Sequence, residues 1–353
     1  MSTAPFRDST VPCVRGNLPR VWEPADDAGH AALTAWIDGH RETVQQQLQA
    51  SGAILLRGFG IDRPEAVEAL ASAFSPALGS DYLGTSPRNA VTARVFNASE
   101  LPGHFPIPQH CEMSFVRSFP QRLFFSCLVA PAAGSGQTPI CDFARVAETL
   151  DPAVAARFAH RRLRLIRNYA GLSRGTRDLW QLKRWDEMFG TTERSVVEAR
   201  CREQGFEPEW IDGDGLRLVS FHDAFRTHAS GRRVWFNHLQ VFHRDAAAVE
   251  LRRVLRHRFT PAGAFWLLAA SALTAIRSRR PDLEQPMHMT WEDGSPIARS
   301  DIAHVADTIW DSLVVFDWQP GDFLAIDNTR VSHGRLPYRG ARHVVVAWAG
   351  EER

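Results

Sequence analysis

The chain has 353 residues, 44% of them hydrophobic and 23% charged, the make-up of a globule able to bury a sizeable core. Its 41 lysines and arginines nearly balance 40 acidic residues, and a net charge of +1 gives no electrostatic basis for binding nucleic acid or an anionic membrane. Five scattered cysteines (13, 111, 127, 141 and 201), with no CxxC pair, argue against a disulfide framework and fit free thiols in a reducing compartment. Residues 1–7 contain no apolar core, so no signal peptide is expected and the cytoplasm is the default location. Residues 1–28, rich in Pro, Asp and Arg, read as an extended arm. Over 31–48, Leu33, Trp36, Ile37, Val44 and Leu48 recur at helical spacing, and Ser51-Gly52 ends that amphipathic helix. The run 53–56 reads as a buried strand, and Arg63-Pro64 opens a helix covering Val67, Leu70 and Phe74. Residues 82–97 are polar and turn-rich.

In Gln109-His110-Cys111-Glu112-Met113-Ser114, an imidazole and a carboxylate stand two positions apart. On a strand both would face one side, with Cys111 opposite, and could hold two corners of a metal site. The triplet alone is more often a pair of hydrogen-bonded strand residues. Further on, 122–129 reads as a core strand, 132–136 as a loop, and Asp151-Pro152 as a helix start within 143–160. The alternation in Arg162-Leu163-Arg164-Leu165 reads as a half-exposed strand. Its basic cluster, Arg161, Arg162, Arg164 and Arg167, is expected to be a solvated edge. Residues 176–204 read as helical, 210–214 as a turn, 216–220 and 233–236 as strands, and 246–258 as a helix. The uncharged run 261–276 is too short to span a bilayer and reads as a buried helix, with a lid or an oligomer contact as the alternative.

Near the C-terminus a Gly321-Asp322 turn leads into an apolar strand ending at Asp327-Asn328. His333 follows in the next extended segment, and Arg342 opens the strand 344–348. His333 supplies a third ligand, completing the two-histidine, one-carboxylate set of non-haem iron oxygenases. Arg342 supplies a planar bidentate clamp for a carboxylate. With no internal repeat, low-complexity tract or linker, one domain is expected over 1–353, with its core at 50–350.

These stretches, with Arg57-Gly58-Phe59 and segments 136–142, 234–237 and 292–297, occur in an order that resembles the taurine dioxygenase (TauD/TfdA) family. Within that family of Fe(II)/2-oxoglutarate enzymes the chain is most similar to the syringomycin-hydroxylase-like branch of peptide-antibiotic biosynthesis. The resemblance implies an α+β fold with a double-stranded β-helix (jelly roll, cupin-like) core and flanking helices. It implies Fe(II) on His110, Glu112 and His333, with 2-oxoglutarate chelating the metal and O2 taking the remaining position. Arg342 and the Thr138 hydroxyl would hold the far carboxylate of 2-oxoglutarate. Relatives place the clamp arginine further past the second histidine; the loop 336–341 is short here, so Arg335 and Arg339 are alternative clamps.

Trp235 and Asn237 match a motif near the active site in relatives, with a core aromatic and a turn asparagine as the plainer reading. Arg88, Arg94, Arg167 and Asn168 are candidates for pairing with a substrate carboxylate, although surface arginines are common. The implied reaction couples oxidation of 2-oxoglutarate to succinate and CO2 with hydroxylation of a small molecule, expected to be an amino acid or a derivative. A free substrate is favoured over one tethered to a carrier protein. A halogenase would have lost the carboxylate that Glu112 retains, and a non-catalytic jelly-roll binding protein would have a broken ligand set. Desaturation and cyclisation stay open.

Overall fold

The N-terminal segment is built into a sheet rather than lying outside as an arm. The computed structural model describes residues 4–11, 16–80, 89–172, 184–211 and 213–350. In it β1 (Phe6–Ser9) pairs antiparallel with β2 (Arg20–Pro24), which pairs parallel with β3 (Ala53–Leu56). The cause is aromatic burial: Phe6 stacks on the fully buried Trp22 at 4.0 Å, and Trp36 closes on it edge-on. The helix expected over 31–48 is two helices, α1 (His30–Gly39) and α2 (Arg41–Ser51). The break falls at His40, whose Nδ1 bonds the Trp36 carbonyl where the backbone leaves helical angles. Gly52, in the left-handed region, ends α2; a Cβ there would lie 2.7 Å from Val331. Then comes α3 (Pro64–Phe74), opened by its proline.

Four strands and two helices follow: β4 (Phe96–Asn97), β5 (Ile107–His110), β6 (Arg122–Val129), β7 (Ile140–Asp142), α4 (Phe143–Thr149) and α5 (Pro152–His160). The side chains of Asp142 and Asp151 cap α4 and α5. After β8 (Leu163–Tyr169), the region expected to be helical over 176–204 shows α6 (Trp185–Phe189) and α7 (Arg194–Gln204); its part at 176–183 lies outside the described residues. Trp210, expected in a turn, sits instead in β9 (Glu207–Ile211), because its register partner Leu216 in β10 (Gly215–His222) extends the pairing. The chain continues through β11 (Phe225–Thr227), β12 (Arg233–Trp235), α8 (Leu239–Phe242), α9 (Ala246–His257) and α10 (Pro261–Arg277). It ends with β13 (Met287–Trp291), α11 (Arg299–Asp311), β14 (Phe323–Asp327), β15 (Val331–Arg335) and β16 (His343–Ala349).

The strands form a seven-stranded sheet (β1-β2-β3-β14-β6-β16-β4), a three-stranded sheet (β5-β15-β7), a four-stranded sheet (β13-β8-β10-β9) and the β11-β12 pair. Alternation in β6, β14 and β16 gives the large sheet two apolar faces. Phe124, Phe323, Val345 and Ala347 pack under α1–α3. Their neighbours Leu123, Phe125, Leu324, Val344 and Val346 pack toward Ile140 and Val331 of the three-stranded sheet. The candidate site lies between those two sheets. A separate core joins the four-stranded sheet to α4, α5, α7, α8 and α11.

Strand β8 lies between β13 and β10, so its basic cluster is not an edge, and Arg167 is 0% exposed. Helix α10 is not buried. It packs on α9 and sets Trp266 against His104 and Phe105, but Phe265 and Leu268 on its other side are 62% and 71% exposed. No helix among the described residues is long and apolar enough to cross a membrane.

Candidate metal and cosubstrate site

His110 ends β5 and His333 lies directly opposite it in β15, so one register pair brings both rings together at 4.4 Å between centroids. Glu112 is not on the strand. The chain turns after β5, with Met113 at φ 56°, an uncommon angle for a non-glycine residue, and this turn brings the carboxylate back toward both rings. Its Oε2 lies 4.0 Å from His110 Nε2 and 3.7 Å from His333 Nε2. One donor atom from each of the three residues falls within 4.8 Å of the others, a spacing that can hold a metal ion. His110 Nδ1 donates to the Pro108 carbonyl at 2.9 Å, which orients the ring with Nε2 toward Glu112.

The turn carrying Glu112 is held by a residue whose role its sequence position did not disclose. Buried Asn328 accepts from the Glu112 N–H at 2.7 Å and donates to the carbonyls of Glu112 and Pro120 at 3.0 and 2.6 Å. The only sequence signal was its place at the end of β14. His238 was missed as well. Its ring lies 5.5 Å from that of His110, and its Nδ1 is 2.6 Å from the Ser114 hydroxyl. Burial, with His110, His222 and Arg167 nearby, holds its pKa well below the ordinary value, so the ring is neutral.

The metal-site cavity is lined by His110, His333, Phe125, Thr138, Arg335 and Arg342, among others. Arg342 donates from Nε to the Gly136 carbonyl at 2.8 Å and from Nη2 to Thr138 Oγ1 at 3.2 Å. Trp318 Nε1 donates to the same oxygen at 3.0 Å. With two N–H bonds accepted, that hydroxyl has its own hydrogen to give to an anion. No carboxylate of the described residues lies within ion-pair distance of Arg342; burial and then Arg335 lower its pKa to about 10. A desolvated cation beside a second cation favours an incoming carboxylate.

The other predicted residues separate clearly. Arg335 lines the cavity but donates to the carbonyls of Leu101, Pro102 and Phe105, latching that loop. Arg339 is exposed and lines a neighbouring cavity with Gly103 and Trp266. Asn168 is not poised for substrate: it donates to the carbonyls of Leu283 and Gln285 and accepts from Arg217. Trp235 is fully buried against Gln240, and Asn237 caps a turn through Ala224 and Leu239. Both take the plainer reading of core aromatic and turn asparagine. Arg94, half-buried in the turn before β4, is not among the residues lining the metal cavity; Arg88 lies outside the described residues.

A profile of the taurine catabolism dioxygenase TauD, TfdA family matches residues 17–348. The chain belongs to this family. It is therefore an Fe(II)- and 2-oxoglutarate-dependent dioxygenase, and the nitrogen–nitrogen–oxygen donor set beside a carboxylate-seeking arginine fits those cofactors. Over 340 residues it is 29% identical to the dapdiamide synthesis protein DdaC of Enterobacter agglomerans, covering 95% of this chain and 92% of that one. A clavaminate synthase-like protein of Arabidopsis thaliana is 28% identical over 331 residues, 89% of this chain and 86% of that one. Among solved structures, PvcB of Pseudomonas aeruginosa superposes with a TM-score of 0.53 at 14% identity, over 100% of this chain and 94% of PvcB. A taurine dioxygenase of Burkholderia xenovorans gives 0.53 at 11%, over 99% and 90%. At those identities the likeness speaks for the fold of the family.

Proposed function

We propose that the enzyme hydroxylates an unactivated carbon of a free amino acid or amino-acid-derived small molecule in natural-product metabolism. One observation carries the reading: His110 and His333, with the Glu112 carboxylate close to both, line the cavity that also presents the Arg342–Thr138 pair. In this reading the large sheet and the three-stranded sheet are the two halves of a double-stranded β-helix. His110, Glu112 and His333 hold the iron, while Arg342 and Thr138 take the far carboxylate of 2-oxoglutarate. The bound metal, with 2-oxoglutarate and O2, supplies the oxidising power, releasing succinate and CO2 as an oxygen atom enters substrate. The protein supplies placement. Asn328 fixes the Glu112 turn and the Pro108 carbonyl fixes the orientation of the His110 ring. Buried Phe125 beside His333 gives the cavity an apolar wall that keeps water out. Retention of Glu112 leaves no ligand position for a halide, and the similarity to a dapdiamide synthesis protein supports the biosynthetic setting.

Anaerobic addition of Fe(II) and 2-oxoglutarate should produce the visible charge-transfer absorption of the chelate. Succinate release should then depend on a free amino acid or derivative, with a product 16 Da heavier. Absence of the absorption removes the site assignment. Turnover only on a carrier-tethered aminoacyl group removes the substrate class while leaving the metal site standing.

A further inference from the structure

The least satisfied buried charge among the described residues is Arg167, in the middle of the four-stranded sheet. Its side chain is 0% exposed. The guanidinium carbon lies 4.3 Å from the ring centre of Phe206 and 4.9 Å from that of Phe115, with Tyr169 at 5.9 Å. Nη1 reaches the Tyr169 hydroxyl at 3.2 Å, whereas Nε and Nη2 are buried without a hydrogen-bond partner. Aromatic rings satisfy the plane of a guanidinium and leave its edge unserved.

That edge has a known use in this chain. Arg20, Arg57, Arg157, Arg184 and Arg330 each give Nε and Nη2 to the two oxygens of one aspartate. Arg167 presents the same two donors, and no carboxylate of the described residues meets them. A buried cation left without an anion is strongly unfavourable, and none of the described residues supplies the anion that would relieve it. His222 and His238 lie nearby, and their pKa values are lowered by burial first and then by neighbouring charges that include Arg167 itself.

The location ties this edge to the reaction. Phe115, which covers one face of the guanidinium, lies three residues beyond Glu112 and meets His238 edge to face at 4.9 Å; His238 in turn lies beside His110. We infer that the Nε–Nη2 edge of Arg167 receives a free carboxylate of the substrate, gripping it with two parallel N–H···O bonds and fixing the distance from that carboxylate to the oxidised carbon. This rests on the reading of the enzyme as a hydroxylase of amino-acid-like molecules, and narrows it to substrates whose carboxylate is unmasked.

The test uses full-length protein loaded with Mn(II) and 2-oxoglutarate, so that Arg342 is already occupied. The probes are acetate, the twenty free L-amino acids and the α-carboxamide of each, read by melting temperature. At least one carboxylate should raise the melting temperature while its carboxamide does not. In Arg167→Met the apparent affinity should fall by roughly a hundredfold, and in Arg167→Lys, which keeps the charge but loses the fork, by roughly tenfold. Unliganded Arg167→Met should melt no lower than the wild type, because an unmatched buried charge has been replaced by an apolar chain. If Arg167→Met fails to fold, the Lys variant decides. The inference is overturned if no carboxylate shifts the wild type, if acid and amide shift it equally, or if the variants bind as the wild type does. Fe(II)–2-oxoglutarate absorption, measured on the same proteins, separates this failure from loss of the metal site, since Arg167 is not part of that chelate.

Discussion

At the scale of single residues, the site depends on which cations are spent and which are left. Arg335 gives its terminal nitrogens to three carbonyls, whereas Arg342 has a carbonyl and a hydroxyl and no carboxylate of the described residues. Arg342→Ala should leave Mn(II) affinity nearly intact while weakening 2-oxoglutarate by about 2–5 kcal/mol, the range for removing one member of a desolvated charge pair. Titrating 2-oxoglutarate into the metal-loaded variant checks this. A comparable loss in Arg339→Ala, or in Arg335→Ala with the loop at Leu101 still in place, would move the clamp. The sequence pointed to His110, Glu112, His333 and Arg342 because a metal set and a carboxylate clamp need particular residue types, and to Thr138 only through the family resemblance. It was silent on Asn328 and His238, whose parts depend on backbone atoms and rings more than a hundred residues away.

Among the elements, strand pairing carries the geometry. β15 opposes β5 through His333 and His110, then shifts register before Arg335 meets Ile107. Gly334 fills that irregularity: a Cβ there would sit 2.7 Å from both the Ile107 carbonyl and Gln109 Nε2. Since the carbonyl belongs to the paired strand, it cannot swing aside. Gly334→Ala should therefore cost about 1–3 kcal/mol of stability and weaken Mn(II) binding with it. Gly39→Ala, with open space around its Cβ, is the control. Denaturant midpoints and metal titrations read both, and an unchanged metal affinity in Gly334→Ala would show that the pairing does not set the ligand spacing. Core strands such as β6 and β14 were legible from their apolar runs. The split at His40, the strand at Trp210 and the open face of α10 were not, because each depends on what a neighbouring element covers.

For the whole molecule, six separated stretches of chain converge on one cavity: the segment after β4, the end of β5 with its turn, Phe125 of β6, the entry to β7, β15 and the start of β16. Ligands that bind only this convergence stabilise the entire fold, by about 2.7 kcal/mol at a hundredfold excess over Kd. The order of addition matters. The three metal donors need no cosubstrate, so Mn(II) alone should raise the melting temperature. 2-Oxoglutarate engages Arg342 at one end but needs the metal at the other, so it should add a second rise only after Mn(II). In Arg342→Ala the first rise should persist and the second should vanish. In His333→Ala both should be lost, even though Arg342 remains. A rise with 2-oxoglutarate alone as large as that with metal present would mean the cosubstrate binds without the ion, and that His110, Glu112 and His333 do not form its anchor.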